Sequence, residues 1–484
     1  MLSGRLVVST ILLVIGCIQT TSAQNNISLE ECFALARKNN LLIRQANISL
    51  QARQYALQAE KQSYLPKVDL LAGYNYLSKP LEINLQTVKD GILEGSSRQN
   101  VNTANEVFKQ ITGNELSQTA KDIIYNGSKN ILNTFYPDYN PPLSKQQYFM
   151  AALGVRQPIY LGNKLKTVQD VAAAEVRSGF INVDLANQQV DLTIALQYIR
   201  ILYLNNIMQR QQNIIRSLQR IEYDATEMVK ENVLPPYQRN WAKTAVIVAQ
   251  SRYANQQLEK QNALTELNKL LDLPLDSLLT ITDTLEYKPA ALPWAAPAFW
   301  GTNPAYQLID SKTALAKAAL QGSKSFSLPN VFAIGSLNLY QRDLPLTIPP
   351  WLVGVEMQWT IFNGTQTIKR VKASKQLIEE AQLATEQTRG LLETRLRVAV
   401  NRINALQNDI VALDSARSVA ALTTTQIEER MRNRMSTPRE VNESLLVEEE
   451  IGKAYFTAVL GYYLSLAEYL DLTGSPRRIG EYLK

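Results

Sequence analysis

The chain has 484 residues, 45% apolar and 19% charged, with 50 Lys plus Arg against 44 Asp plus Glu for a net charge of +6. Histidine is absent, which excludes a Ser-His-Asp or Cys-His nucleophile system, a His-ligated zinc site and an imidazole proton shuttle within this chain. Its two cysteines, Cys17 and Cys32, allow no disulfide framework, and no Lys/Arg block or basic stripe with interleaved aromatics points to nucleic acid.

Residues 1–23 read as a secretory signal: Arg5 precedes an apolar run from Leu6 to Ile18, and Thr21 and Ala23 stand at small-residue cleavage positions. The competing reading takes Val14-Ile15-Gly16-Cys17 as a lipoprotein signal ending before Cys17. No later stretch holds 18 consecutive apolar residues, so no transmembrane helix is expected. A membrane-embedded form must then be a β-barrel. Near the mature start, Ser28 and Glu31 form a capping box that opens a helix over Ser28 to Gln62.

Next comes a strand near 66–77, where Val68, Leu70, Ala72, Tyr74 and Tyr76 alternate with more polar positions. A second strand near 148–160 alternates through Phe149, Ala151, Leu153 and Val155. Between them lies a long polar insert near 78–147, expected as an extracellular cap, a partial plug or a disordered loop; a helix-compatible patch runs from Asn105 to Leu132, interrupted by Gly113 and Gly127. Helices near 163–232 and 236–271 follow. The first has about 70 residues without internal proline, or about 105 Å of helix, with Leu192, Leu196, Ile199 and Tyr203 at coiled-coil spacing.

The pattern then repeats. Tyr64-Leu65-Pro66-Lys67-Val68 is echoed by Ser327-Leu328-Pro329-Asn330-Val331, Tyr160-Leu161-Gly162 by Phe362-Asn363-Gly364, and Pro236 by Pro438. The last two pairs share an offset of 202 residues, so the long helices of both halves have equal length. Strands are expected near 329–340 and 351–362, and helices near 364–433 and 437–471. The two structural repeats are 24–290 and 291–476, with a tail at 477–484. The register predicts one oily face: Val68, Leu70, Tyr74, Leu153, Val155, Val331, Leu337, Trp351, Val353, Val355 and Met357. Strands of about ten residues with Tyr and Trp near their ends suit a membrane barrel, which makes these the lipid-facing positions. A soluble antiparallel sheet packed on helices is the alternative from pattern alone.

SLEECFALARKNN near the mature start, a strand followed by QPIYLGNK, a strand followed by WTIFNGTQ, and two long helical hairpins together resemble TolC-type outer membrane efflux proteins. The resemblance covers nearly the whole mature chain. It implies a mainly α fold with β, internally duplicated: long coiled-coil hairpins building a periplasmic α-barrel, and four transmembrane strands per chain entering a twelve-stranded β-barrel of a homotrimer. Four strands in lipid leave two open edges, so closure by partner copies is also a physical requirement.

What the resemblance implies for function is a passive outer membrane conduit of a tripartite efflux or type I secretion system in a Gram-negative bacterium, extending into the periplasm. Its partners would be a periplasmic adaptor and an inner membrane transporter, with no catalytic residue, cofactor, metal or nucleic acid. The helix turns implied to touch the adaptor are Asn232, Val233, Leu234, Pro235 and Pro236, and Arg434, Met435, Ser436, Thr437 and Pro438. Asn232 and Arg434 stand where the family usually has glycine. Glu440 and Glu443, six and nine positions after Arg434, are the implied periplasmic gate; carboxylates near a helix N-terminus are also favoured for the dipole alone. An exported coiled-coil scaffold protein and a stand-alone diffusion porin are the alternatives from other classes.

Overall fold

The structure is a computed structural model that describes residues 25–78, 89–112, 114–134, 145–290, 299–342 and 348–483. The leader read at 1–23, Cys17 included, and the parts of the insert at 79–88 and 135–144 lie outside the described residues. In chain order the elements are β1 (Asn25–Ile27), α1 (Leu29–Asn39), α2 (Leu41–Lys61), β2 (Lys67–Tyr76), α3 (Lys89–Thr112), α4 (Gln118–Thr134), β3 (Gln147–Tyr160), α5 (Lys164–Lys230), α6 (Pro236–Leu270), β4 (Leu279–Ile281), α7 (Pro304–Ser325), β5 (Asn330–Arg342), β6 (Trp351–Gln358), α8 (Gln366–Arg432) and α9 (Pro438–Leu472).

The internal duplication is written into the backbone. Helices α5 and α8 both have 67 residues, and α6 and α9 both have 35. Every described residue with positive φ has a counterpart 202 positions away: Gly162 with Gly364, Asn163 with Thr365, Asn232 with Arg434, and Asp272 with Gly474. The helices end alike, because each left-handed residue lets two amides turn back onto otherwise unpaired carbonyls. After α5, Val233 N donates to Met228 O (2.8 Å) and Asn232 N to Val229 O (3.1 Å); after α8, Met435 N donates to Arg430 O (2.8 Å) and Arg434 N to Met431 O (2.9 Å).

The chain divides into two compact units that cut across the sequence repeats, each drawing on both halves: one holds residues 1–51, 178–310 and 383–484, the other 52–177 and 311–382. In the first, α1 packs Cys32 and Phe33 against Tyr198, Ile199 and Leu202 of α5, Ile403 of α8 and Tyr462, Tyr463 and Leu466 of α9. The buried tyrosines keep their hydroxyls paired, as desolvation demands: Tyr198 donates to Asp283 Oδ2 (2.6 Å), Tyr462 to Lys288 O (3.0 Å) and Tyr463 to Glu286 O (2.5 Å). The short parallel pair β1 and β4 lies beside this core. The tail closes on it too, with Ile479 and Leu483 buried.

The capping box at Ser28 and Glu31 is present, but the helix expected over 28–62 is two helices. Asn40 breaks it: its ψ of 128° leaves the helical region, its Oδ1 accepts from Leu42 N (2.9 Å) to cap α2, and its Nδ2 donates to Leu270 O (2.8 Å). The same device starts α7, where Asn303 Oδ1 accepts from Ala305 N and its Nδ2 donates to Leu472 O, the counterpart of Leu270.

In the second unit, β2, β3, β5 and β6 form one antiparallel sheet in that order. The last strand ends at Gln358, opposite Asn330, rather than running to 362, because β5 has no residue left to pair with it. Trp359, Ile361 and Phe362 lie beyond the ladder and remain exposed.

Candidate functional site

Two features set the candidate site: one face of the sheet and the turns of the two long hairpins. The register brings Val68 opposite Val155, Leu70 opposite Leu153, and Tyr74 opposite Phe149. It continues with Leu153 opposite Leu337, Leu337 opposite Trp351, Gly335 opposite Val353, Ala333 opposite Val355, and Val331 opposite Met357. All eleven positions expected to be oily therefore share one face. Leu153 and Val331 are half-buried and the others exposed, Val353 most of all at 73%. Between Gln147 and Gln157 this face of β3 carries no charge and no amide, and its neighbours match it except at one end of β5, where the exposed Arg342 stands opposite Phe149.

Aromatic and large aliphatic side chains flank the strip at both ends. Tyr76, Tyr340 and Trp351 are exposed at one end, and Tyr64, Tyr160, Trp359 and Phe362 at the other, where the strands meet the helices. Such girdles are the arrangement that sits at lipid–water interfaces. Gly162 and Gly364 turn the chain from strand to helix at φ of 59° and 62°; a Cβ on Gly162 would stand 2.6 Å from Leu328 Cβ, so that turn has no room for one.

The opposite face of the sheet is occupied. Helices α3 and α4 form a hairpin whose Phe108, Leu116 and Ala120 bury against Ile334, with Phe332 and Leu352 packed beside them. The helical patch expected at 105–132 is thus longer than read, running from Lys89 to Thr134 as two helices; α3 stops at Thr112, beside Gly113, which lies outside the described residues, while Gly127 does not interrupt α4. A single glycine costs a helix about 1 kcal/mol, which packing of the apolar side outweighs.

At the hairpin turns, Asn232, Val233, Pro235, Pro236, Arg434 and Met435 are exposed, Leu234, Ser436 and Thr437 half-buried, and Pro438 buried. Arg434 Nη2 lies 2.9 Å from Glu231 Oε2, joining one turn to the other. Glu440 caps its own helix. Its carboxylate accepts from Thr437 N (3.3 Å) while Glu440 N donates to Thr437 Oγ1 (3.3 Å), a complete capping box. The Ser436 hydroxyl first, and the Thr437 amide second, hold the Glu440 carboxyl below the usual glutamate range. Glu443 pairs with Arg439 Nε at 2.8 Å, one helical turn back. Arg432 lies 3.9 Å from Glu428. Arg432, Arg434 and Arg439 are therefore spent on three different carboxylates, and of these three only Arg439 pairs with an expected gate residue.

Sequence reading missed two groups of residues here. The contact face of the hairpin had a signal in the helical spacing of Ala104 with Phe108 and of Ala120 with Ile124; the Glu231–Arg434 pair had none, because it joins turns 203 residues apart. Among the described residues no group of three or more His, Cys, Asp or Glu is placed to hold a metal ion, and no helix is long and apolar enough to cross a membrane.

No family model matches the sequence, and no curated protein sequence matches it either. Solved structures do. The CmeC outer membrane channel of Campylobacter jejuni is 14% identical, with a TM-score of 0.70 over 92% of this chain and 85% of that one. The outer membrane protein VceC of Vibrio cholerae is 12% identical, with a TM-score of 0.67 over 92% and 96%. The MtrE outer membrane channel of Neisseria gonorrhoeae, solved in its open state, is 13% identical, with a TM-score of 0.65 over 93% and 89%. The chain thus has the fold of TolC-like outer membrane channels, the fold that its sequence resemblance implied.

Proposed function

We propose that the chain is one protomer of a trimeric outer membrane conduit, contributing its four strands to a shared twelve-stranded barrel and its long hairpins to a periplasmic tube. The observation that carries this reading is the apolar face of the sheet on β2, β3, β5 and β6, uncharged but for Arg342 at one end, flanked by aromatic girdles and bounded by two strands that, among the described residues, lack an outer neighbour in the sheet. An open edge in hydrocarbon leaves amides and carbonyls unpaired at several kcal/mol each, so β2 of one copy pairs with β6 of the next. The similarity in fold to proteins described as outer membrane channels supports the same reading.

A conduit of this kind has no energy source of its own. An adaptor and an inner membrane transporter supply it in a tripartite efflux or type I secretion system, and the adaptor's docking points are the turns at Asn232–Pro236 and Arg434–Pro438. At the second turn, Glu443 with its partner Arg439 and Glu440 with its capping duty line the periplasmic opening of the trimer. Purified protein added to planar lipid bilayers tests the function: discrete, stable conductance steps are expected, cation-selective and reduced in selectivity by Glu443→Gln. A protein that stays soluble and never inserts is the exported scaffold instead.

A further inference from the structure

We propose that the α3–α4 hairpin is a plug seated inside the barrel, closing its outer part in the resting conduit; this rests on the trimeric barrel reading above. The sheet has only one face that suits lipid, the one uncharged but for Arg342 at one end, so the face covered by the hairpin points into the lumen. A hairpin on the lipid side would instead carry Glu106, Lys109 and Asp122 into hydrocarbon.

The lumen wall bears this out in its composition. The interior of an open aqueous barrel is polar, yet here Met150, Ala152, Ile334 and Leu352 face inward, and Ile334 is only 2% exposed beneath Phe108 and Leu116. Those four side chains match the hairpin and would be a poor lining for a water-filled pore. Where the wall carries the Glu356 carboxylate, the hairpin's own Glu115 and Lys121 lie within electrostatic reach of it.

The hairpin is also built to hold its shape. Asn105 Oδ1 accepts from Leu116 N (2.8 Å) across its turn, Lys121 Nζ lies 2.6 Å from Glu115, and the small side chains Ser97 and Ser128 are wholly buried. The dimensions limit how much of each hairpin the lumen takes. Twelve strands about 4.8 Å apart and tilted about 40° enclose a backbone circle of radius about 12 Å, or about 450 Å². Three hairpins supply six helices, each about 10 Å across, which side by side need a circle of radius about 15 Å, so only part of each hairpin enters the lumen and the rest stands beyond its outer rim. The lumen has no room left for a wide channel at that level.

Thiol accessibility in intact cells tests this. The luminal Ser336→Cys variant is compared with Gln146→Cys, at the exposed start of β3, using a membrane-impermeant maleimide added outside; the native Cys32 is fully buried. With the plug in place, Ser336→Cys reacts about tenfold slower or more, since access governs the rate. Its rate rises toward that of Gln146→Cys when residues 89–134 are replaced by a short Gly/Ser linker, or when Phe108→Asp and Leu116→Asp remove the apolar seat. Equal labelling of both positions in a full-length trimer overturns the plug and leaves the conduit standing. If neither hairpin variant assembles, the full-length comparison decides alone. A full-length chain that forms no trimer removes the conduit reading itself.

Discussion

Arg434 and Glu231 form an ion pair of 2.9 Å between the turns of the two long hairpins, and Arg434 makes it from a left-handed backbone, at φ 64°. A non-glycine residue there costs roughly 1–2 kcal/mol, whereas an exposed ion pair is worth about 0–1 kcal/mol. The two nearly cancel. Arg434→Gly is therefore expected to leave thermal stability within about 1 kcal/mol of the parent, while Arg434→Ala, which loses the pair and keeps the strain, melts lower than both. Circular dichroism melts of the three proteins check the order; a glycine variant less stable than the alanine variant contradicts it.

The duplication gives an internal control at the strand-to-helix turns. Gly162 and Gly364 have the same left-handed conformation, but a Cβ at Gly162 meets Leu328 Cβ at 2.6 Å and Ser325 O at 3.0 Å, while a Cβ at Gly364 meets nothing within 4 Å. Gly364→Ala is expected to cost about 1 kcal/mol from backbone strain alone, and Gly162→Ala about 1–3 kcal/mol more from the clash. Denaturation midpoints of the two variants measure the difference, and equal losses count against the packing described for Leu328.

The strand register predicts a sharp asymmetry between neighbouring residues. Leu70→Arg and Val353→Arg place a charge on the lipid side, at about 2–4 kcal/mol near the midplane, and should deplete assembled protein from the outer membrane fraction. Asp69→Arg, one residue from Leu70 but on the other face, should assemble nearly normally. Equal loss from both faces contradicts the assignment.

Two carboxylates should respond to acid with opposite signs. Glu440 is held below the usual range by Ser436 and Thr437, so its cap stabilises the fold above the unfolded glutamate value and is lost as pH falls through the folded one. Asp191 goes the other way: burial raises its carboxyl despite Arg37 at 3.1 Å and Arg477 at 3.6 Å, so its relative contribution is greatest below the unfolded aspartate value and declines as pH rises through the raised one. Urea midpoints measured from pH 3.5 to 7 (about the span of ordinary carboxyl titration) should flatten at the acid end in Glu440→Gln, and lose their decline with rising pH in Asp191→Asn. Curves parallel to the parent in both variants contradict the assignment.

The fold class was legible because its signals are local and doubled. Pro236 and Pro438 each stand at the first turn of a helix, where proline's fixed φ helps and its missing N–H costs nothing, and the alternation through Val68 to Tyr76 needs only the pleat. What escaped depends on distant partners. The break at Asn40 exists because Leu270 O waits for its side chain, and β6 stops where β5 begins. The insert was the hardest part, since β3 is apolar on both faces, with Leu153 on one and Met150 and Ala152 on the other. Nothing in the alternation says that one face stays exposed and the other meets a helix. Of the site, the shared face of the eleven strand positions followed from parity; Glu440 and Glu443 did not come free of local duties, because a capping box and an i,i+4 pair occupy their carboxylates.

The mass of the detergent-solubilised mature protein, read by sedimentation or native mass spectrometry with detergent subtracted, bears most directly on the conduit. Two sheet edges that lack neighbours among the described residues require closure by other copies if the sheet lies in lipid, as proposed. Three chains per particle, surviving dilution in detergent, is the expected result. A stable monomer in detergent contradicts the shared barrel.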